Sequence, residues 1–443
     1  MLVFLSLTAC LSAQTRSPSS APQAPAPRTT SSAVPATNSQ PAPPNRITAF
    51  TLTPDRYRQA RDIARIRLRI VVISFCSGLL ILWLILRLKL GIRYRQWAEN
   101  LSAQRFIQAL VFSPLLILTI DILQLPISIY SQSVRNKYGL SIQGWASWFW
   151  DWTKGELVNV IIATLFIWIL YAVIRKSPRR WWCYFWLATL PIGLALVFLQ
   201  PLVIDPLFNK FEPLAQKDPA LTMALQKLVQ RSGETIPPER MFWMGAGEKT
   251  TTLNAYVTGF GASKRIVVWD TTIARMSTPQ IVFVTGHEMG HYVLQHIPKG
   301  LALGAVLLFV AFYLGFLIVG WLLLRWGSQW EIRGLDDWAS LPVLLIIFSL
   351  LTVVGNPIAS GISRYFEHQA DQYALEVTHG ITPDAGQVGA QAFQVLGDVG
   401  LADPEPNRVA VFMFYDHPPI PDRIQFCLSY DPWLPGRQPE FVR

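Results

Sequence analysis

The sequence predicts a mainly α polytopic membrane helix bundle or barrel of about six spans, into which an α+β domain is inserted. Three observations carry this. Of 443 residues, 51% are hydrophobic and only 15% charged, a balance that belongs to a chain embedded in lipid. Six apolar runs approach the ~20 residues that a helix needs to cross a hydrocarbon core. A polar stretch of about a hundred residues (204–299) separates the fourth run from the fifth.

The elements follow in order. Residues 1–14 form a short apolar N-terminus, and Leu7-Thr8-Ala9-Cys10 resembles a bacterial lipoprotein cleavage box, although no basic segment precedes it. Residues 15–45 are Pro, Ser, Ala and Thr, a composition that cannot bury a core, and the linker they begin runs to about residue 55. Spans are predicted at 70–87, 106–130, 157–174 and 182–203 within a first membrane unit, 56–203, and at 301–325 and 341–360 within a second, 300–362. Residues 363–443 form a C-terminal soluble segment. Asp121 falls inside the second run, where an unpaired charge is costly, so it is expected to face protein or water.

Charge and cysteines narrow the function. The net charge of +10 comes largely from Arg and Lys flanking the apolar runs, which suits phospholipid headgroups rather than nucleic acid. The four cysteines, Cys10, Cys76, Cys183 and Cys427, form no C-x-x-C pair, so a bound metal must be held by His and carboxylate. An even number of spans puts the region before the first span, the insertion and the C-terminal segment on one side. Arg56, Arg58, Arg61, Arg65, Arg67 and Arg69 mark that side as cytoplasmic, whereas Arg175, Lys176, Arg179 and Arg180 pull the other way.

Within the insertion (204–299), Leu221 to Val229 reads as an amphipathic helix. Thr252–Val257 and Arg265–Trp269 read as strands joined by Gly259-Phe260-Gly261. No helix and no G-K-[ST] follow those glycines, so a hairpin is preferred over a phosphate loop. A helix then begins at Ser277-Thr278-Pro279, an N-cap with proline in the first turn. It carries His287-Glu288-Met289-Gly290-His291. Residues i and i+4 share a helix face, so both imidazoles can approach one ion, with Glu288 placed to take a proton from a water there.

A catalytic zinc commonly keeps three protein ligands. Downstream, Ser363-Arg364-Tyr365-Phe366-Glu367-His368-Gln369-Ala370-Asp371 continues as helix from the sixth span. Glu367 and Asp371 share a face, which favours Glu367 over the competing His368 as third ligand and leaves Asp371 to support the site. H-E-x-x-H followed by S-R-x-x-E-x-x-A-D resembles the integral-membrane CAAX prenyl endopeptidases and the related bacterial heat-shock membrane metalloproteases. Asn254–Gly259 with Ser263–Val267, Asp205–Phe211, and His417-Pro418-Pro419 with Arg423 extend the likeness over roughly residues 106 to 425.

The resemblance implies a zincin-like α+β metalloprotease domain with one zinc per chain on His287, His291 and Glu367, and with Glu288 as general base and later acid. It implies that Asp371 fixes the tautomer of a liganding histidine, and that His417 and Arg423 meet the substrate carbonyl. Asn254 and Ala255 would offer an edge-strand backbone to an extended peptide. The residues themselves also allow a turn-capping His417 and an Arg423 paired with Asp422 or Asp416. The expected activity is zinc metalloendopeptidase, with the bilayer and a peptide or protein substrate as partners and no nucleic acid. The expected location is a bacterial inner membrane. The lipoprotein-like box points away from prenylated substrates and toward other peptides or damaged membrane proteins. The competing class is a catalytically silent zinc-binding membrane scaffold or chaperone. A transporter fits less well, since the span sets show no internal repeat.

Overall fold

The structure, a computed structural model, describes residues 46–259 and 261–442. The apolar N-terminus, Cys10 and the low-complexity segment up to residue 45 lie outside the described residues. Among the described residues, six helices are long and apolar enough to cross a membrane: Pro54–Arg87, Arg105–Lys137, Trp145–Lys176, Trp181–Phe208, His296–Trp326 and Trp338–Thr378. Each contains one of the six runs seen in the sequence and extends past it.

In chain order, α1 is Pro54–Arg87, α2 the short Leu90–Leu101, α3 Arg105–Lys137, α4 Trp145–Lys176 and α5 Trp181–Leu199. Helix α1 starts well before the apolar run because Thr53 and Pro54 cap it: the Thr53 hydroxyl accepts from Arg56 N at 3.4 Å, and Pro54 takes the first helical position. Its charged first turns are held from the C-terminal segment. Arg56 Nε donates to Asp398 at 3.1 Å, and Arg61 Nη1 donates to Asp403 at 2.9 Å. These arginines are thus partly committed to ion pairs, and the start of α1 and the C-terminal segment lie together. Asp121 on α3 is partly buried and accepts from Asn159 Nδ2 of α4 at 3.4 Å, an inward-facing carboxyl.

The inserted domain carries strands β1 (Phe211–Pro213), β2 (Met241–Met244), β3 (Ala255–Thr258) and β4 (Arg265–Trp269), with helix α6 (Pro219–Arg231) between the first two. The sheet order is β1-β2-β4-β3. β3 and β4 form the expected antiparallel hairpin, with Ala255 opposite Val268 and Thr258 opposite Arg265. Gly259 takes φ +95 at the turn, and a side chain there would collide with the backbone of Ser263. β2 runs parallel to β4, and β1 antiparallel to β2. The sequence did not signal these two strands, which are three and four residues long.

Helix α7 (Thr278–Val293) is the hub. Gln280 closes its first turn by accepting from Ser277 N at 2.9 Å. Ile281, Val282, Phe283 and Met289 bury themselves among Leu221, Leu225 and Leu228 of α6 and Ile266 and Val268 of β4. After α7 come α8 (His296–Trp326), α9 (Leu341–Thr378), α10 (Ala385–Gly400), α11 (Arg408–Phe414) and α12 (Ile420–Ser429). α9 runs unbroken from the membrane segment into the soluble core, where Tyr373, Ala374 and Val377 pack on α7.

The α7–α9 crossing is close because α7 presents glycine there. A Cβ at Gly290 would lie 3.2 Å from Ala370 Cα, and one at Gly286 would lie 3.2 Å from a Val377 methyl. We expect Gly290→Val to overpack this crossing and lower unfolding stability by about 1–3 kcal/mol, measured by thermal melting in detergent. An unchanged melting temperature would show that the crossing has room to spare.

Candidate metal centre and active site

The α7–α9 crossing sets two histidines of one helix against two carboxylates of the other. His287, His291 and Glu367 each offer a ligand atom, and these atoms all lie within 4.8 Å of one another. His287 Nε2 stands 3.3 Å from His291 Nε2 and 3.2 Å from Glu367 Oε2, while His291 Nε2 is 3.4 Å from Glu367 Oε1. His368, the competing ligand, packs instead on Phe426, with 4.3 Å between ring centres.

The donor set fits a cation. Asp371 Oδ1 lies 2.8 Å from His287 Nδ1, and a carboxylate can only accept, so Nδ1 carries the hydrogen and Nε2 presents a lone pair. The buried Glu367 Oε2 receives no hydrogen bond from the described residues. Two ring nitrogens and a carboxylate therefore converge with electron pairs facing inward, an arrangement that positive charge relieves and that zinc's preference for N and O ligands matches. Burial would lower the pKa of His287, yet Asp371 and Glu367 outweigh it and push it up to about 10, so without an ion a proton holds the Nε2 position that a cation would take. Burial and the neighbouring His287 press His291 down to about 3, which keeps it neutral. Burial likewise lifts Glu288 to about 7, despite the positive groups around it.

Arg423, on α12, sits behind the ligands. Its Nε donates to Asp371 Oδ2 at 2.8 Å and its Nη2 to Asp371 Oδ1 at 2.6 Å, a two-pronged pairing that locks the carboxylate holding His287. The guanidinium is 8% exposed, lies over Phe393 at 4.1 Å and has Nη2 3.7 Å from Glu367 Oε2. Its partner is thus neither Asp422 nor Asp416. His417 is more open, with 41% of its side chain exposed, and its Nε2 is 3.2 Å from Glu367 Oε2. Its Nδ1 donates to Asp416 at 2.9 Å. Desolvation opposes a charge on His417, but the Glu367 and Asp416 carboxylates raise its pKa above the usual value. Arg364 anchors the segment leading to it by donating to Val411 O at 2.9 Å and Tyr415 O at 2.5 Å.

Strand β3 lies at the sheet edge. Asn254, just before it, has a fully engaged backbone: its N–H donates to Thr272 Oγ1 at 2.7 Å, and its carbonyl accepts from Trp269 N and Thr272 Oγ1 at 3.1 and 2.8 Å. The expectation of an available backbone therefore fails at Asn254. With residue 254 bonded inward, antiparallel alternation turns the N–H and C=O of Ala255 and Val257 outward. Two further neighbours had no sequence signal: His296, whose Nδ1 is 3.1 Å from His291 Nδ1, and Gln369, whose Oε1 is 3.2 Å from His296 Nε2.

Arg423→Lys keeps the charge and loses the fork. Zinc affinity, read by chelator competition, is expected to fall about 10–100-fold, whereas unchanged affinity would mean that the fork does not position His287.

Comparison with known proteins places this arrangement. A family model described as peptidase family M48 matches residues 215–430, and one described as CAAX prenyl protease N-terminal, five membrane helices, matches residues 35–210. The uncharacterized metalloprotease YhfN of Bacillus subtilis (strain 168) is 36% identical over 337 residues, spanning 75% of this chain and 76% of its own. The CAAX prenyl protease 1 homolog of Arabidopsis thaliana is 28% identical over 311 residues, 69% of this chain and 70% of its own. The crystal structure of S. mikatae Ste24p superposes with a TM-score of 0.73 over 86% of this chain and 90% of that one, at 23% identity, a likeness of fold. With the two-histidine helix, the third carboxylate and the six spans, the chain belongs to peptidase family M48, as a multi-pass membrane zinc metalloprotease.

Proposed function

We propose that the protein is an endopeptidase that cleaves an extended peptide held along β3, with His287, His291 and Glu367 as the zinc ligands. The observation that carries this is the convergence of those three ligand atoms within 4.8 Å, with Glu288 on the adjoining turn. Bound zinc supplies Lewis acidity toward a water and the scissile carbonyl. Glu288 takes the proton of the attacking water and returns it to the leaving amine. A carboxyl lifted to about 7 by burial is matched to both tasks near neutral pH. His417, more open than the ligands, offers an Nε2 hydrogen to the carbonyl oxygen as charge develops there. Arg423 adds positive charge behind it while holding Asp371, and Asp371 holds His287. The outward backbone of Ala255 and Val257 can accept the substrate as a further strand.

The domain scheme fits this reading. Residues 56–203 and 300–362 supply the membrane helices, 204–299 the strand and the two-histidine helix, and 363–443 the third ligand with His417 and Arg423. The plant relative is named a CAAX prenyl protease 1 homolog. For this chain we propose other peptides, including segments of membrane proteins under quality control. We also propose a bacterial inner-membrane location with the site facing the cytoplasm, on the side marked by the arginines at the start of α1.

Glu288→Gln is expected to retain zinc near one per chain while kcat for peptide cleavage drops about 10²–10⁴-fold. His417→Ala should lower kcat about 10²–10³-fold, again with zinc retained. Zinc binding by the wild type with no cleavage of any peptide in a broad library would contradict the endopeptidase reading. For orientation, the C-terminus should be digested by added protease in inverted membrane vesicles and protected in intact spheroplasts. The opposite pattern would reverse the topology.

A further inference from the structure

The helix that bears the two histidines ends at an abrupt turn, and the turn returns a third histidine to the site. Gln295 adopts the left-handed conformation, φ 57 and ψ 36. The chain therefore stops following α7 and starts α8 at His296. Although it opens a helix, His296 is only 4% exposed. Its ring stacks on Phe366, the neighbour of Glu367, with 4.5 Å between centres and 10° between planes. Its Nδ1 faces His291 Nδ1 at 3.1 Å, and its Nε2 faces Gln369 Oε1 at 3.2 Å. Gln369 Nε2 in turn donates to the Tyr365 hydroxyl at 3.2 Å.

The hydrogens along this chain can be assigned from chemistry. An amide oxygen only accepts, so His296 carries its hydrogen on Nε2 and leaves Nδ1 as a lone pair. That lone pair accepts from His291 Nδ1–H. A neutral imidazole has one such hydrogen, so His291 Nε2 is left bare, pointing at Glu367 Oε1 3.4 Å away. The reverse direction would place a hydrogen on His291 Nε2 and block the atom that has to bind the ion. His287 has its tautomer set by the Asp371 carboxylate, and His291 has a neutral imidazole in the matching place. A second carboxylate there would add another negative charge to a centre already holding Glu367 and Asp371.

We infer that His296 is the positioning residue of His291, fixing its tautomer and ring direction, and that Gln369 fixes the tautomer of His296. This rests on His291 being a zinc ligand. The test is zinc affinity of the full chain in detergent, measured by equilibrium competition with a chelator, together with melting of the metal-free proteins. His296→Phe keeps the ring on Phe366 and removes the acceptor; His296→Asn places an amide oxygen near the position of Nδ1. Zinc affinity should fall about 10–100-fold in His296→Phe and stay within a few-fold of wild type in His296→Asn, with metal-free melting unchanged in both.

Equal affinity of His296→Phe and wild type would overturn the inference, as would His296→Asn binding as poorly as His296→Phe. If the Phe variant does not fold, the decision passes to Gln369→Met, which should weaken zinc binding, and Gln369→Glu, which keeps an acceptor and should not; equal affinities in these two would overturn it. His291→Ala separates the two levels of argument. If it leaves zinc affinity unchanged, the ligand assignment fails. If it abolishes binding while His296→Phe matches wild type, only the positioning role fails.

Discussion

The site depends on how closely two helices cross. α7 brings His287 and His291, and α9 brings Glu367 and Asp371. These pairs meet only because Gly286 and Gly290 remove the side chains that would otherwise separate the backbones, with the Ala370 Cα 3.2 Å from where a Gly290 Cβ would stand. A metal site tolerates errors of a few tenths of an ångström, so a separation of one methyl group would prevent a shared ion. The length of α9 serves the same purpose. A single helix, Leu341–Thr378, continues from the apolar run into the core that packs on α7, which ties Glu367 to the sixth span without a flexible joint.

Around that crossing the charges are arranged by depth. Glu367 and Asp371, 6% and 1% exposed, would be expensive to bury alone. Arg423 meets both demands: its fork is closed on Asp371 and its remaining field falls on Glu367. His417 occupies the open side. Arg423 is therefore committed to the Asp371 carboxylate, while His417 keeps 41% of its side chain exposed. The arginine reaches the site through Asp371, which in turn holds His287, and this distinguishes it from the histidine six residues before it.

Much of this was legible in the sequence, for identifiable reasons. A membrane span is written as local composition, so six runs announced six helices. A helix that binds an ion through i and i+4 is written as spacing, so His287, Glu288 and His291 stood out, and the four-residue step from Glu367 to Asp371 did so as well. The β3–β4 hairpin was marked by its strand-forming runs and glycines. Contacts between residues distant in sequence left no such mark. Arg423 meets Asp371 across 52 positions, so local reading supplied its sequence neighbours instead. Arg56 and Arg61 looked like headgroup-facing charge but pair with Asp398 and Asp403. His296 was invisible because Gln295 breaks the helical period on which spacing arguments rely. β2, Met-Phe-Trp-Met, carries neither β-branched residues nor alternation.

The account's central claim is that one zinc sits on two imidazoles and one carboxylate. X-ray absorption at the zinc edge on the purified protein tests it most directly. The expected spectrum shows one zinc per chain in a four-coordinate shell of nitrogen and oxygen only, at about 2.0–2.2 Å, with the multiple scattering of two imidazoles. A shell containing sulfur at about 2.3 Å, or one with the signature of a single imidazole, would contradict the site described above.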